Sequence, residues 1–181
     1  MDRMPGWAFR IMASLFRVTD LFRSPAHRLD PFDIRAGHTV IDYGSGTGRY
    51  LPQASALAGE NGKVYAVDIQ ELAIRSAFRT ISRFGLKNVI PVLTDGSSVD
   101  IPSGSADVIL CLDMFHMVSN PSLFLKELKR LARPGGILYL ENGHQPRATA
   151  IEKVLQSGCW KIVSETKEYL TCTPLDKTKS L

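Results

Sequence analysis

From residue 39 onward, short apolar runs alternate with longer stretches whose apolar positions recur every three or four residues. The first kind reads as strand and the second as amphipathic helix. Strand-like are TVIDYG (39–44), KVYAVDI (63–69), NVIPVLTD (88–95), ADVILCLDM (106–114) and ILYLEN (137–142). Helix-like are RYLPQASALAG (49–59), QELAIRSAFRTISRFG (70–85), SLFLKELKRLAR (122–133) and a stretch near 146–157. Within 70–85, Ala73, Ala77 and Ile81, flanked by Ile74 and Phe78, make an apolar stripe, and Arg75, Arg79 and Arg83 make a second face. Two closing strands, WKIVSE (160–165) and EYLTCTPL (168–175), are joined by too few residues for a helical crossover, so they pair antiparallel.

Punctuation residues sharpen these elements. Pro52 is tolerable in the first turn of its helix, and Gly85 occupies a helix-stopping position. Asn120 and Pro121 read as N-cap and first helical residue. The PGG at 134–136 ends that helix and turns into the next strand. Pro91 cannot donate to a ladder, which puts its strand at a sheet edge. The almost wholly apolar ADVILCLDM suits a central parallel strand buried on both faces. The order predicts an α/β fold: a doubly wound sheet with helices on both faces. Residues 1–36 stand apart as one or two amphipathic helices. They bear Trp7, Ile11, Leu15, Phe16 and Phe22, with arginines at 3, 10, 17, 23 and 28.

The 181 residues, 44% hydrophobic and 22% charged, fit one globular domain with a real core. No apolar stretch approaches the ~20 residues of a membrane span, and the N-terminus lacks the pattern of a signal peptide. Cys111, Cys159 and Cys172 are odd in number and not closely paired. They read as buried apolar residues in a reducing, cytoplasmic setting, not as a disulfide frame or a metal site. A net charge of +4 permits an anionic partner without demanding nucleic acid.

The stretch DYGSGTG (42–48) has three glycines at alternate positions directly behind an apolar run. Glycines at the carboxyl end of a parallel strand let a ligand approach the main chain, and the following helix start offers free N–H groups. The alternative is a tight turn that needs positive φ. Asp68 closes the next strand, where an acid can accept both hydroxyls of a ribose. A dinucleotide fingerprint would need a glycine where Arg49 stands, and a P-loop would need a lysine followed by Ser or Thr.

At these residues the sequence resembles a known family. VIDYGSGTGRY, VYAVDI, LTDGSSVDIPSGSADVILCLDMFHMV and LKRLARPGGILYL resemble the successive motifs of class I, seven-strand S-adenosylmethionine-dependent methyltransferases. Within that family the resemblance is to the small-molecule branch that includes ubiquinone/menaquinone methyltransferases. It covers residues 37 to 142 well and the closing hairpin more loosely. It implies a Rossmann-like sheet of strand order 3-2-1-4-5-7-6 over residues 37–176, with 1–36 as an N-terminal helical extension. S-adenosylmethionine is the implied cofactor. Asp42 would lie under its amino group, and the loop of Gly44, Ser45, Gly46 and Gly48 would run close to it. Asp68 would hold the ribose, Ile69 would pack on adenine, and Asp95 with the Gly96 N–H would meet the adenine edge. Cys111 would offer its backbone carbonyl to the cofactor amine.

An activated methyl needs an acceptor held in line and, where the acceptor carries a proton, a base. Candidates beyond the fourth and fifth strands are Asp113, His116, Glu141 and His144. Against each stands a plain structural role: helix capping for His116, loop residues for Asp113 and His144, and a backbone contact for Glu141. No N/D-P-P-Y/F follows the fourth strand, which leaves amino methylation of adenine or glutamine unsupported. No Pro-Cys pair supports a cysteine nucleophile. The expected acceptor is a small molecule, apolar or aromatic, under a lid formed by residues 1–36. Competing roles for that segment are a homodimer interface, a basic helix on an anionic membrane, or simple surface cover. Competing functions are methylation of RNA or protein, or a non-catalytic cofactor-binding partner subunit.

Overall fold

A computed structural model describes residues 5–22 and 25–175, with no side-chain detail for 16–22 and 26. Arg3 and Arg23, and the side chains of Phe16, Arg17 and Phe22, lie outside the described residues. Helix α1 (Gly6–Phe22) leads through a short 3-10 turn, Pro25–His27, to β1 (Thr39–Tyr43), α2 (Leu51–Ala58) and β2 (Lys63–Asp68). There follow α3 (Glu71–Phe84), β3 (Val89–Leu93), β4 (Ala106–Cys111), α4 (Pro121–Leu131) and β5 (Ala132–Glu141). Helix α5 (Arg147–Gln156), β6 (Trp160–Glu165) and β7 (Tyr169–Pro174) are the last elements among the described residues.

The seven strands form one sheet in the order β3-β2-β1-β4-β5-β7-β6, as the resemblance implies. β1 pairs in parallel with β2 and β4, and β3 flanks β2 at the edge where Pro91 placed it. The β6–β7 hairpin is antiparallel, and β7 joins β5. One expected boundary moves. The helix before PGG ends at Leu131, and β5 already pairs at Ala132 with Ala106 before resuming its register at Ile137 with Val108. Pro134, Gly135 and Gly136 sit in the interruption between these pairs, where a Cβ on Gly136 would lie 2.8 Å from the Ala106 carbonyl oxygen.

Alternate strand residues feed two cores, one on each face. Ile41, Tyr43, Ile109 and Cys111 pack with α4, α5 and Trp160. Val40, Val108 and Leu110 pack with α2, Ala77 of α3, and Leu29, Phe32 and Ile34. Residues 29–34 are therefore part of the folded core. The Leu29 N–H donates to Gln53 Oε1 at 2.9 Å, and the Asp33 N–H donates to the Tyr139 hydroxyl at 2.9 Å. On α3, Ala73 and Ala77 face inward as the stripe predicts, but Phe78 is 57% exposed.

Candidate active site

The carboxyl ends of β1, β2 and β4 open on a cleft where the loop after β1 turns toward α2. Gly44, Gly46 and Gly48 all have positive φ, at 83°, 52° and 72°. Their surroundings differ. A Cβ on Gly44 would meet Met114 Cγ at 2.8 Å, whereas around Gly46 the nearest atom is the Gly44 carbonyl oxygen at 3.9 Å. Both line the cleft, together with Ser45. A Cβ on Gly48 would meet Leu51 Cδ1 at 2.9 Å and Ala77 Cα at 3.4 Å. Gly48 therefore lets α2 and α3 pack closely, and it does not line the cleft.

Two carboxylates share the cleft. Asp42 is 2% exposed, and its Oδ2 has no hydrogen-bond partner among the described residues. Burial, with the Asp68 charge as a second cause, raises its pKa to about 7. Asp68 accepts the Gly46 N–H at 2.9 Å on one oxygen and the Gln70 N–H at 2.8 Å on the other. Burial raises the Asp68 pKa as well, against the pull of these N–H groups. This pairing ties the glycine loop to the end of β2 and leaves lone pairs on both Asp68 oxygens.

These residues fit S-adenosylmethionine. The orphan Asp42 oxygen is a buried acceptor suited to an ammonium, the remaining Asp68 lone pairs suit a ribose diol, and Ile69 offers an apolar wall for adenine. Other residues of the implied set are not part of this cleft lining. Asp95 is exposed, and its carboxylate folds back on its own turn. There it accepts from the Ser97 N–H at 2.8 Å and the Ser97 hydroxyl at 2.6 Å, which lowers its pKa. The Gly96 N–H donates to Thr94 Oγ1 at 3.1 Å. Neither Asp95 nor Gly96 lines the cleft, and neither does the fully buried Cys111. Burial holds the Cys111 thiol well above its ordinary pKa, as suits a packing residue.

The acceptor-side candidates gather at one corner. Asp113 takes φ of 51°, the one non-glycine positive φ among the described residues, and it lines the cleft. Its N–H donates to Glu141 Oε2 at 3.1 Å, and the other Glu141 oxygen receives the Arg28 guanidinium. Glu141 is thus a bracing group that holds backbone and Arg28. His144 Nε2 lies 4.0 Å from Asp113 Oδ1, and the His116 ring stands edge-on to His144 at 4.8 Å. Burial lowers the His116 pKa, and its Nδ1 has no partner among the described residues. A Cβ on Gly143 would overlap that nitrogen. Of these residues only Asp113 faces the cleft.

Sequence reasoning missed several cleft residues. Phe9 and Met12 of α1, Tyr50, Met114 and Met117 all line it. Phe9 is buried, whereas the Trp7, Ile11 and Leu15 read from the sequence are exposed. A signal existed: Phe9 and Met12 lie one turn apart on the opposite face of the same helix. Arg28 carried no local signal at all.

Comparison with known proteins agrees with this architecture. A family described as "Methyltransferase domain" matches residues 34–178. The ubiquinone/menaquinone biosynthesis C-methyltransferase UbiE of Escherichia coli O1:K1 / APEC is 28% identical over 158 residues, covering 83% of this chain and 63% of that protein. The chain therefore spans under two thirds of the length of the curated relatives it matches. A S-adenosylmethionine-dependent methyltransferase from Aquifex aeolicus superposes with a TM-score of 0.78 at 27% identity, covering 94% of this chain and 97% of that one. A putative S-adenosylmethionine-dependent methyltransferase from Methanococcus maripaludis shares the fold at 15% identity, with a TM-score of 0.79 and full coverage of both chains. With that family match extending over most of its length, and with the strand order and cleft described above, the chain belongs to the class I S-adenosylmethionine-dependent methyltransferases.

Proposed function

We infer that the protein transfers a methyl group from S-adenosylmethionine to a small acceptor of apolar or aromatic character. One observation carries this reading: Phe9 and Met12 of α1 share a single cleft with the glycine loop and the buried Asp42–Asp68 pair. When bound, the cofactor's sulfonium supplies an already activated methyl. The chain has to bind, orient and exclude water, and orientation alone contributes up to roughly 7–11 kcal/mol. Asp42 and Asp68 set the cofactor's position. Phe9, Met12, Met114 and Met117 present apolar surface where an acceptor would lie. Asp113 is the candidate base because it faces the cleft, with His144 behind it.

The test is methyl transfer from labelled cofactor to a panel of small aromatic and aliphatic acceptors, with RNA as a comparison. The double variant Phe9→Ala, Met12→Ala removes apolar contact, so kcat/KM toward the acceptor falls about tenfold or more. S-adenosylhomocysteine affinity, read by calorimetry, changes far less. Unchanged acceptor kinetics would remove α1 from the acceptor site. Transfer to RNA with steep salt dependence would replace the small-molecule reading.

A further inference from the structure

Helix α1 is apolar on two opposite faces. Phe9 and Met12 turn inward to the cleft. Trp7, Ile11 and Leu15, four residues apart, turn outward at 69%, 53% and 60% exposure. Single exposed apolar residues are ordinary on a protein surface, but three in one helical stripe mark an interaction surface. Alongside runs a groove between α1 and α3 whose walls include Arg10, Arg75, Ser76, Phe78 and Arg79. The three arginines are exposed. Glu71 approaches Arg75 only to 4.0 Å, and Arg79 donates to the Arg75 carbonyl and the Ser76 hydroxyl. Among the described residues no carboxylate pairs with Arg10 or Arg79.

We propose that this α1–α3 surface docks on an anionic lipid bilayer. The partner has to be apolar opposite Trp7, Ile11 and Leu15, and anionic opposite Arg10, Arg75 and Arg79. A bilayer with acidic headgroups is both at once: phosphates meet the guanidinium groups, the indole sits at the interface, and the aliphatic side chains enter the acyl boundary. RNA matches the charge but leaves Ile11 and Leu15 without apolar contact. A second copy of this chain matches the apolar stripe but opposes arginine to arginine. Docking places α1 itself between the bilayer and the cleft that Phe9 and Met12 line. The surface is separate from the carboxylates and the glycine loop, so docking holds whatever the acceptor is.

The full chain is tested with phosphatidylcholine vesicles with and without phosphatidylglycerol. The protein has two tryptophans, and Trp160 is 1% exposed, so a lipid-induced emission shift reports Trp7. Expected are co-sedimentation with the anionic vesicles, release by high salt, a blue shift, and quenching by brominated acyl chains. Arg75→Glu with Arg79→Glu lowers partitioning about tenfold or more. Ile11→Ser with Leu15→Ser lowers it and weakens the quenching, while retained S-adenosylhomocysteine binding certifies the fold of each variant. Wild-type protein that stays in the supernatant, or that partitions without regard to lipid charge, overturns the proposal. So does a lipid-free dimer that buries Trp7, or RNA that shifts Trp7 emission where vesicles do not.

Discussion

Asp42 carries the sharpest residue-level consequence. Its pKa of about 7 in the folded chain, against an ordinary 3.8, means that the folded protein keeps a proton which the unfolded chain has released. Between about pH 4 and pH 7, cofactor-free stability should therefore fall as pH rises. Thermal melts from pH 5 to pH 8 should show that decline, and Asp42→Asn should flatten it. An unchanged slope in the variant would assign the effect to another group. A ligand ammonium placed against Asp42 reverses the preference, since it stabilises the ionised carboxylate. S-adenosylhomocysteine affinity should accordingly rise through about pH 7 and be largely lost in Asp42→Asn. At Asp113 the backbone sits at φ 51°, a conformation that asparagine also tolerates. Asp113→Asn therefore keeps the turn and removes the base. For an acceptor that loses a proton, kcat should drop by roughly 10² or more while cofactor affinity stays. Equal kcat would make Asp113 a structural residue.

Among the elements, α4 shows how local the helix signals are. Asn120 Oδ1 accepts the Leu123 N–H at 3.1 Å, and Pro121 fills the first helical position, where no donor is needed. Asn120→Ala should cost about 1 kcal/mol in urea unfolding, whereas Asn120→Asp should be nearly neutral. A silent alanine variant would show that the preceding loop, not the cap, holds the helix start. Gly85 ends α3 in the left-handed conformation at φ 62°, as its place after Phe84 predicts. Helix orientation was harder to read. On α1 the conspicuous Trp7, Ile11 and Leu15 stripe faces outward, and on α3 Phe78 does the same. Periodicity identifies an apolar face, but a helix with two such faces is oriented only by what it packs against.

Over the whole molecule, residues 29–34 lock onto the sheet through a ring cluster. Phe32 stacks on Tyr139 at 4.4 Å and meets Tyr169 edge-on at 4.9 Å. Phe32→Ala should lower stability by roughly 3–5 kcal/mol while unfolding remains a single transition by near- and far-UV dichroism. An early, separate loss of the near-UV signal would show that this segment unfolds on its own. The sequence alone determined the alternation of strands and helices, the helix caps, the edge placement of Pro91 and the glycine loop directly behind Asp42. Each rests on backbone geometry or periodicity among residues close in the chain, which composition and spacing record directly. The tertiary structure decided that Gly48 serves helix packing while Gly44 and Gly46 serve the cleft, and that Asp95 folds back on Ser97. It also paired Arg28 with Glu141 across 113 positions and withdrew Asp42 from water. Such outcomes depend on which distant side chains meet and where water is excluded, and both arise only when the chain closes on itself.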